Sequence, residues 1–182
     1  MQTVLLKQNN LACSIWRFMR QGGFLENSIM TSLFILSPMA VSVQDGRNKS
    51  DILDSLARLF NRAYDLAHGD VLERIEERER LGSTGFGRGV AIPHARIDGI
   101  KSPTVAVMRL REPVDFHAAD GLPVELVIGL LSPENGGVSH LHALASISRM
   151  VRDEKLRTAL LEAGNAEALY GLLSNASDQN AA

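Results

Sequence analysis

The stretch Leu122 to Leu131, "LPVELVIGLL", is almost unbroken in apolar residues, with Glu125 its one charge. A strand with one wet face alternates apolar and polar positions, so a run without alternation belongs inside a sheet covered by helices on both faces. Two more short runs precede it, Val90 to Ile92 and "TVAVMRL" (Thr104 to Leu110), both bounded by Gly, Pro or Asp as strands are. Helical periodicity lies on either side. Upstream, Ile52, Leu53, Leu56, Leu59, Phe60, Ala63 and Leu66 recur on one face, with Ser50 as the expected N-cap and Gly69 past the end. "VLERIEERERL" (Val71 to Leu81) reads as a second helix, with Asp70 and Glu73 resembling a capping box, Glu76 and Arg80 one turn apart, and Gly82 as the stop. Downstream of "SPENGG", Leu141, Leu144, Ala145, Ile147, Ser148 and Val151 form another stripe. Two short helices follow, around Glu154 to Glu162 and Ala166 to Leu173, capped by Asp153 and Asn165. The expected fold is α/β: a mixed sheet sandwiched between helices in three layers.

The 182 residues suit one domain with a small appendage. We divide them into an N-terminal extension over 1–29, a globular domain over 30–174 and a disordered polar tail over 175–182. Met30 is read as an alternative start. The 19 Lys and Arg are interleaved with 21 Asp and Glu for a net charge of -2, so no nucleic-acid footprint is present. Cys13 is the single cysteine, which fits a reducing compartment and gives a cytoplasmic address by default. "TSLFILSPMAVSV" (Thr31 to Val43) is shorter than the roughly 20 apolar residues of a membrane span and is broken by Pro38, so no membrane insertion is expected.

"GSTGFGRGVAIPHA" (Gly82 to Ala95) joins the second helix to the first strand. Gly82 and Gly87 stand at phosphate-loop spacing, but Arg88 and Gly89 occupy the positions of the lysine and hydroxyl residue, and the helix-to-strand order is reversed. Nucleotide binding is therefore not expected. Pro93, with fixed φ and no N–H, tends to end ladder pairing and leave His94 projecting from the strand end. In "SHLHALASI" Ser139 can cap a helix starting near His140, and two residues apart His140 and His142 point to nearly opposite sides, so only one can face His94. His68 and His117 lie beside turn residues and read as solvated. A zinc site needs three or four converging ligands, and the helical i, i+4 histidine pair is absent, so no metal and no cofactor are expected. Two facing histidines near a helix N-terminus suit a phosphoryl acceptor instead. The helix end disfavours imidazolium, and the glycine amides could form an anion-holding nest.

"RERLGSTGFGRGVAIPHA" followed by "HLHALASISR" resembles the enzyme IIA domains of the fructose and mannitol type in the bacterial phosphotransferase system, closest to the nitrogen-regulatory branch, from about Ser50 to Leu173. The resemblance implies that His94 accepts the phosphoryl group, with His140 beside it and Arg78 near the site; Gly82, Ser83, Thr84 and Gly85 are expected to shape the phosphoryl-binding pocket. It further implies an HPr-like phosphocarrier as donor and regulatory protein targets bound according to phosphorylation state. Nothing in the chain resembles a sugar-permease domain, which favours a regulator over a transport component. Arg88 departs from the family pattern, which more often has Asn there, and adds a cation. Two rivals are a binding-only regulator of the same fold that is never phosphorylated, and a hydrolase using His94 and His140 with a metal or an acidic partner such as Asp98 or Asp120.

Overall fold

The computed structural model describes residues 29–30 and 33–179; Cys13, Trp16 and the rest of the expected extension up to residue 28 lie outside the described residues. In chain order the elements are β1 (Ile29–Met30), β2 (Ile35–Gln44), α1 (Lys49–Tyr64), α2 (His68–Arg80), β3 (Gly85–Gly87), β4 (Val90–Ala91), β5 (His94–Ile97), β6 (Thr104–Val114), β7 (Val124–Pro133), α3 (Gly137–Arg152), α4 (Glu154–Glu162) and α5 (Ala166–Gln179).

The apolar run is β7, and it is buried along nearly its whole length. It lies inside a mixed seven-stranded sheet of order β1-β2-β6-β7-β4-β3, with β5 also paired to β7. One edge of β7 pairs antiparallel with β6. The other pairs in parallel, first with β4 at Leu126 and Val127 and then with β5 from Leu130 to Pro133. Helices α1 and α2 pack against β2, β6 and β5, while α3, α4 and α5 pack against β7 and β2. This is the helix–sheet–helix sandwich read from the sequence. Gly129 sits where α1 comes closest: a Cβ there would lie 2.7 Å from Leu56 and 2.9 Å from Phe60. No helix among the described residues is long and apolar enough to cross a membrane.

Several boundaries differ from the sequence reading. Helix α1 is capped by Asn48, whose side chain accepts from the Asp51 amide at 2.9 Å, and not by Ser50, which lies inside the helix. It stops at Tyr64, because Asp65 turns left-handed (φ 57°), well before Gly69. Helix α2 begins at His68 with no side-chain cap, so Asp70 acts from within the first turn as a charge near the positive helix end and not as a cap. Helix α3 begins at Gly137, ahead of Ser139, whose hydroxyl donates back to the Gly136 carbonyl at 3.0 Å. The segment around Pro38 is strand β2, with a register break against β6 between Leu36 and Val41. The Tyr64 hydroxyl spans that break, accepting from the Ser37 amide and lying 2.7 Å from the Val105 carbonyl.

The tail also differs from expectation. Helix α5 runs on through Gln179, past the boundary at 175. Buried Leu169 and Leu173 anchor it, and no Gly or Pro in "SNASDQ" stops propagation of a helix already nucleated. At the other end β1 pairs antiparallel with β2, so the boundary drawn between 29 and 30 falls inside a strand.

Candidate functional site

Pro93 breaks the extended run as anticipated, but His94 does not hang from a strand end: it opens β5, which resumes parallel pairing with β7. Alternation along β5 then turns His94 and Arg96 outward and buries Ala95 and Ile97. The Pro93 carbonyl accepts from the Leu130 amide at 2.9 Å, which fixes the joint between β4 and β5. The last turn of α2 brings Arg78 to this point, and the first turn of α3 brings His140. The two imidazoles lie with centroids 5.6 Å apart, tilted by 45°. His142 is exposed on another side of α3.

The hydrogen bonds assign the His94 tautomer. Its Nδ1 lies 2.8 Å from the Ile92 carbonyl oxygen, which can only accept, so Nδ1 carries the proton. Its Nε2 lies 3.1 Å from Arg78 Nε, which can only donate, so Nε2 holds the lone pair. Arg78 is itself tied down by a 3.0 Å bond from Nη1 to the Gly82 carbonyl. His140, 8% exposed, keeps its Nδ1 2.9 Å from the hydroxyl of fully buried Ser132 on β7. Burial is the first cause that lowers the His94 pKa below the ordinary histidine value. The Arg78 charge adds to it, and the Ile92 carbonyl and the Glu79 carboxylate oppose it. His140 is lowered by burial, then by His94, Arg96 and Arg78. The neutral rings expected from the helix end are thus held neutral mainly by desolvation.

Both histidines open onto a cleft of about 320 Å³, lined also by Arg74, Glu77, Arg78, Leu81, Ala95, Arg96 and Glu134. Gly82, Ser83, Thr84 and Gly85 do not line it. Two of their amides and the Ser83 hydroxyl are committed within the protein: the Thr84 amide donates to the Glu79 carboxylate at 3.0 Å, and the Gly85 amide donates to Ser83 Oγ, which donates to the Phe116 carbonyl, while the buried Thr84 hydroxyl has no partner among the described residues. Lys49 pairs with Glu79 and donates to the Phe116 carbonyl at 3.1 Å, tying α1, α2 and the loop together. In place of an anion nest the segment forms a brace under Arg78. Gly85 is required by contact, since a Cβ would meet Ala118 at 2.7 Å.

Arg88 is exposed on the β3–β4 turn and does not line the cleft. Its backbone is left-handed (φ 57°), a conformation that Asn adopts more readily than Arg, and nothing in the structure explains the Arg. The Asp120 carboxylate accepts from the Arg88 amide at 2.7 Å and from Leu122, so it serves this turn; neither Asp120 nor Asp98 lines the cleft. His68 is not simply solvated but bonds the Asp54 carboxylate at 2.9 Å, whereas His117 stays exposed.

A neutral imidazole whose Nε2 accepts from Arg78, a second ring beside it and three arginines thus line one cleft. The family model described as "Phosphoenolpyruvate-dependent sugar phosphotransferase system, EIIA 2" matches residues 34–176. The chain belongs to that enzyme IIA family. Its relatives include the nitrogen regulatory protein of Pseudomonas aeruginosa, 44% identical over 129 residues that cover 70% of this chain and 84% of that protein. The crystal structure of nitrogen regulatory protein IIA-Ntr from Neisseria meningitidis superposes with a TM-score of 0.67 at 36% identity, covering 79% of this chain and 97% of that one. IIA mannitol from Escherichia coli, at 20% identity and a TM-score of 0.59 over 72% of this chain and 94% of its own, shares the fold. Enzyme IIA proteins are components of a phosphotransferase system, so phosphoryl transfer is the chemistry of the family.

Sequence reasoning missed Arg74, Arg96, Ser132 and Leu81. Arg74 lies one helical turn before Arg78, and Arg96 lies one pleat after His94, so period alone could have found both. Ser132 left no such signal.

Proposed function

We propose that this chain is a cytoplasmic phosphohistidine relay that takes a phosphoryl group on His94 Nε2 from an HPr-like phosphocarrier and binds target proteins according to its phosphorylation state. The observation that supports this reading is the His94 tautomer: Nδ1 keeps its proton and donates it to the Ile92 carbonyl, while the Nε2 lone pair accepts from Arg78 at the wall of the cleft. In the transfer, that lone pair forms the new P–N bond while the donor's P–N bond breaks and its electrons return to the donor ring. The Nδ1 proton stays where it is, and the Ile92 carbonyl stabilises the positive charge the ring then shares. Arg78 Nε gives up Nε2 and turns to a phosphoryl oxygen. His140, oriented by the Ser132 hydroxyl 2.9 Å from its Nδ1, supplies a second ring beside the phosphoryl group, and its Nε2 is a donor in the tautomer in which that hydroxyl donates. Gly82 to Gly85 serve by holding Arg78 and not by touching the phosphoryl group.

A protein donor is supported by the rim. Leu81, Val138 and Leu141 are 85%, 69% and 62% exposed; Leu81 lines the cleft and the other two lie on the helix that carries His140. An exposed leucine at the mouth of a charged cleft, with two more exposed apolar side chains on the neighbouring helix, fits a macromolecular partner better than a small phosphate ester. The regulatory half of the proposal draws on the relatives named nitrogen regulatory protein. The test is to incubate the full chain with phosphoenolpyruvate, enzyme I and an HPr-like carrier and measure intact mass. An acid-labile phosphoryl adduct that disappears in His94→Ala is expected. Unmodified protein would leave the binding-only regulator, and an adduct that persists in His94→Ala would move the site elsewhere.

A further inference from the structure

Three arginines line the cleft, and their commitments differ. Arg78 spends Nε on His94 and Nη1 on the Gly82 carbonyl. Arg74 is paired with Glu77 at 3.5 Å. Arg96 makes no hydrogen bond and no ion pair among the described residues, although Glu134 lines the same cleft. It is the uncommitted cation of the site.

Its position is fixed by the same ladder that builds the site. Arg96 pairs in register with Ser132, whose hydroxyl holds His140, and it shares the outward face of β5 with His94. Residues i and i+2 of a strand are about 7 Å apart along the chain, and a guanidinium stem spans that distance. Arg78 must release the nitrogen that attacks before its Nε can meet an incoming dianion, whereas Arg96 breaks nothing to do so. Its planar fork can take two phosphoryl oxygens at once.

We propose that Arg96 is a second phosphoryl-binding residue, which takes the oxygens of the group as it arrives and holds them once the P–N bond to His94 has formed. This rests on the phosphoryl-acceptor reading of His94. No bond is made or broken at Arg96; it contributes charge and orientation alone.

The test uses the full chain as wild type, Arg96→Gln and Arg96→Lys, phosphorylated by the same HPr-like carrier, with a second measurement made after the donor is removed. Arg96→Gln is expected to lower kcat/KM for phosphorylation about tenfold, the loss of one charge-assisted contact at an exposed residue. It is also expected to shorten the lifetime of the isolated phosphohistidine several-fold at neutral pH, read by intact mass, with Arg96→Lys recovering part of both. Thermal stability should not change, since Arg96 bonds nothing in the free protein. A slower transfer with an unchanged phosphohistidine lifetime would make Arg96 a donor-docking residue and overturn the proposal. Equal rates and lifetimes in wild type and Arg96→Gln would overturn it as well, leaving His94 as acceptor intact. A wild-type chain that takes no phosphoryl group at all would instead overturn the functional reading and this inference with it.

Discussion

Replacing Ser132 by Ala removes one oxygen atom from the centre of the sheet and separates the site's geometry from its chemistry. Ser132 is fully buried on β7, and its Oγ lies 2.9 Å from Nδ1 of nearly sealed His140. The β5–β7 ladder through Arg96 uses the Ser132 backbone alone and is unaffected. Alanine fits the space, so no clash arises, and the void is smaller than a methyl group. What is lost is a buried hydrogen bond, with Nδ1 left unpaired. That costs about 1–2 kcal/mol, a factor of roughly 5 to 30 in the folding equilibrium. The ring also loses the partner that orients it. Urea denaturation should therefore show a lower midpoint with an unchanged slope. Phosphorylation should slow about tenfold at saturating carrier, the size of one lost transition-state hydrogen bond, while KM for the carrier changes little. Stability reduced with an unchanged rate would mean that Ser132 only fills the core and that His140 does not act on the phosphoryl group; an unchanged stability would refute the hydrogen-bond reasoning itself.

Four other outcomes follow from the same structure. Both site histidines have pKa values held below the ordinary histidine value of about 6.5, so the unfolded chain binds protons there first; stability should fall as pH drops below that value, and His94→Gln should reduce the fall in denaturation curves taken across the range. For the same reason the phosphorylation rate should stay level as pH passes down through 6.5 and decline only at more acid pH; a midpoint at or above 6.5 would count against a buried neutral nucleophile. Glu79→Ala removes the acceptor of the Thr84 amide and the partner of Lys49 and should cost about 1–3 kcal/mol in chemical denaturation while slowing phosphorylation through a displaced Arg78. Gly129→Ala drives a methyl into Leu56 and Phe60 and should destabilise by about 1–3 kcal/mol in thermal melts, with the rate per folded molecule unchanged.

The sandwich was legible because β7 carries its burial in composition: seven successive positions from Leu126 to Ser132 are buried, and only an interior strand has that pattern. The starts of α4 and α5 were legible because Asp153 and Asn165 cap them in the structure as the side chains allow. The ends of α1 were not, since Asn48 and Asp65 compete with Ser50 and Gly69 as equally plausible punctuation and only tertiary packing chooses between them. For the site, spacing showed only that one of His140 and His142 could face His94; the choice of His140 and the addition of Arg78 came from the family resemblance, and the structure brings the three side chains together. The fate of the glycines was not. Whether a free amide faces solvent or a carboxylate depends on Glu79 returning from the preceding helix to take the Thr84 N–H, a contact that no local pattern encodes. Short β5 escaped because Pro93 masks the resumption of pairing, and with it went the face that carries Arg96.

The central claim is that the nitrogen of His94 facing the cleft is the one that accepts the phosphoryl group. The direct measurement is nitrogen-15 and phosphorus-31 NMR of the phosphorylated full chain, with the histidine ring resonances assigned through His94→Ala. The account predicts a phosphorus coupled to Nε2 of His94 and a proton retained on Nδ1. Phosphorus on Nδ1, or on His140, would contradict it.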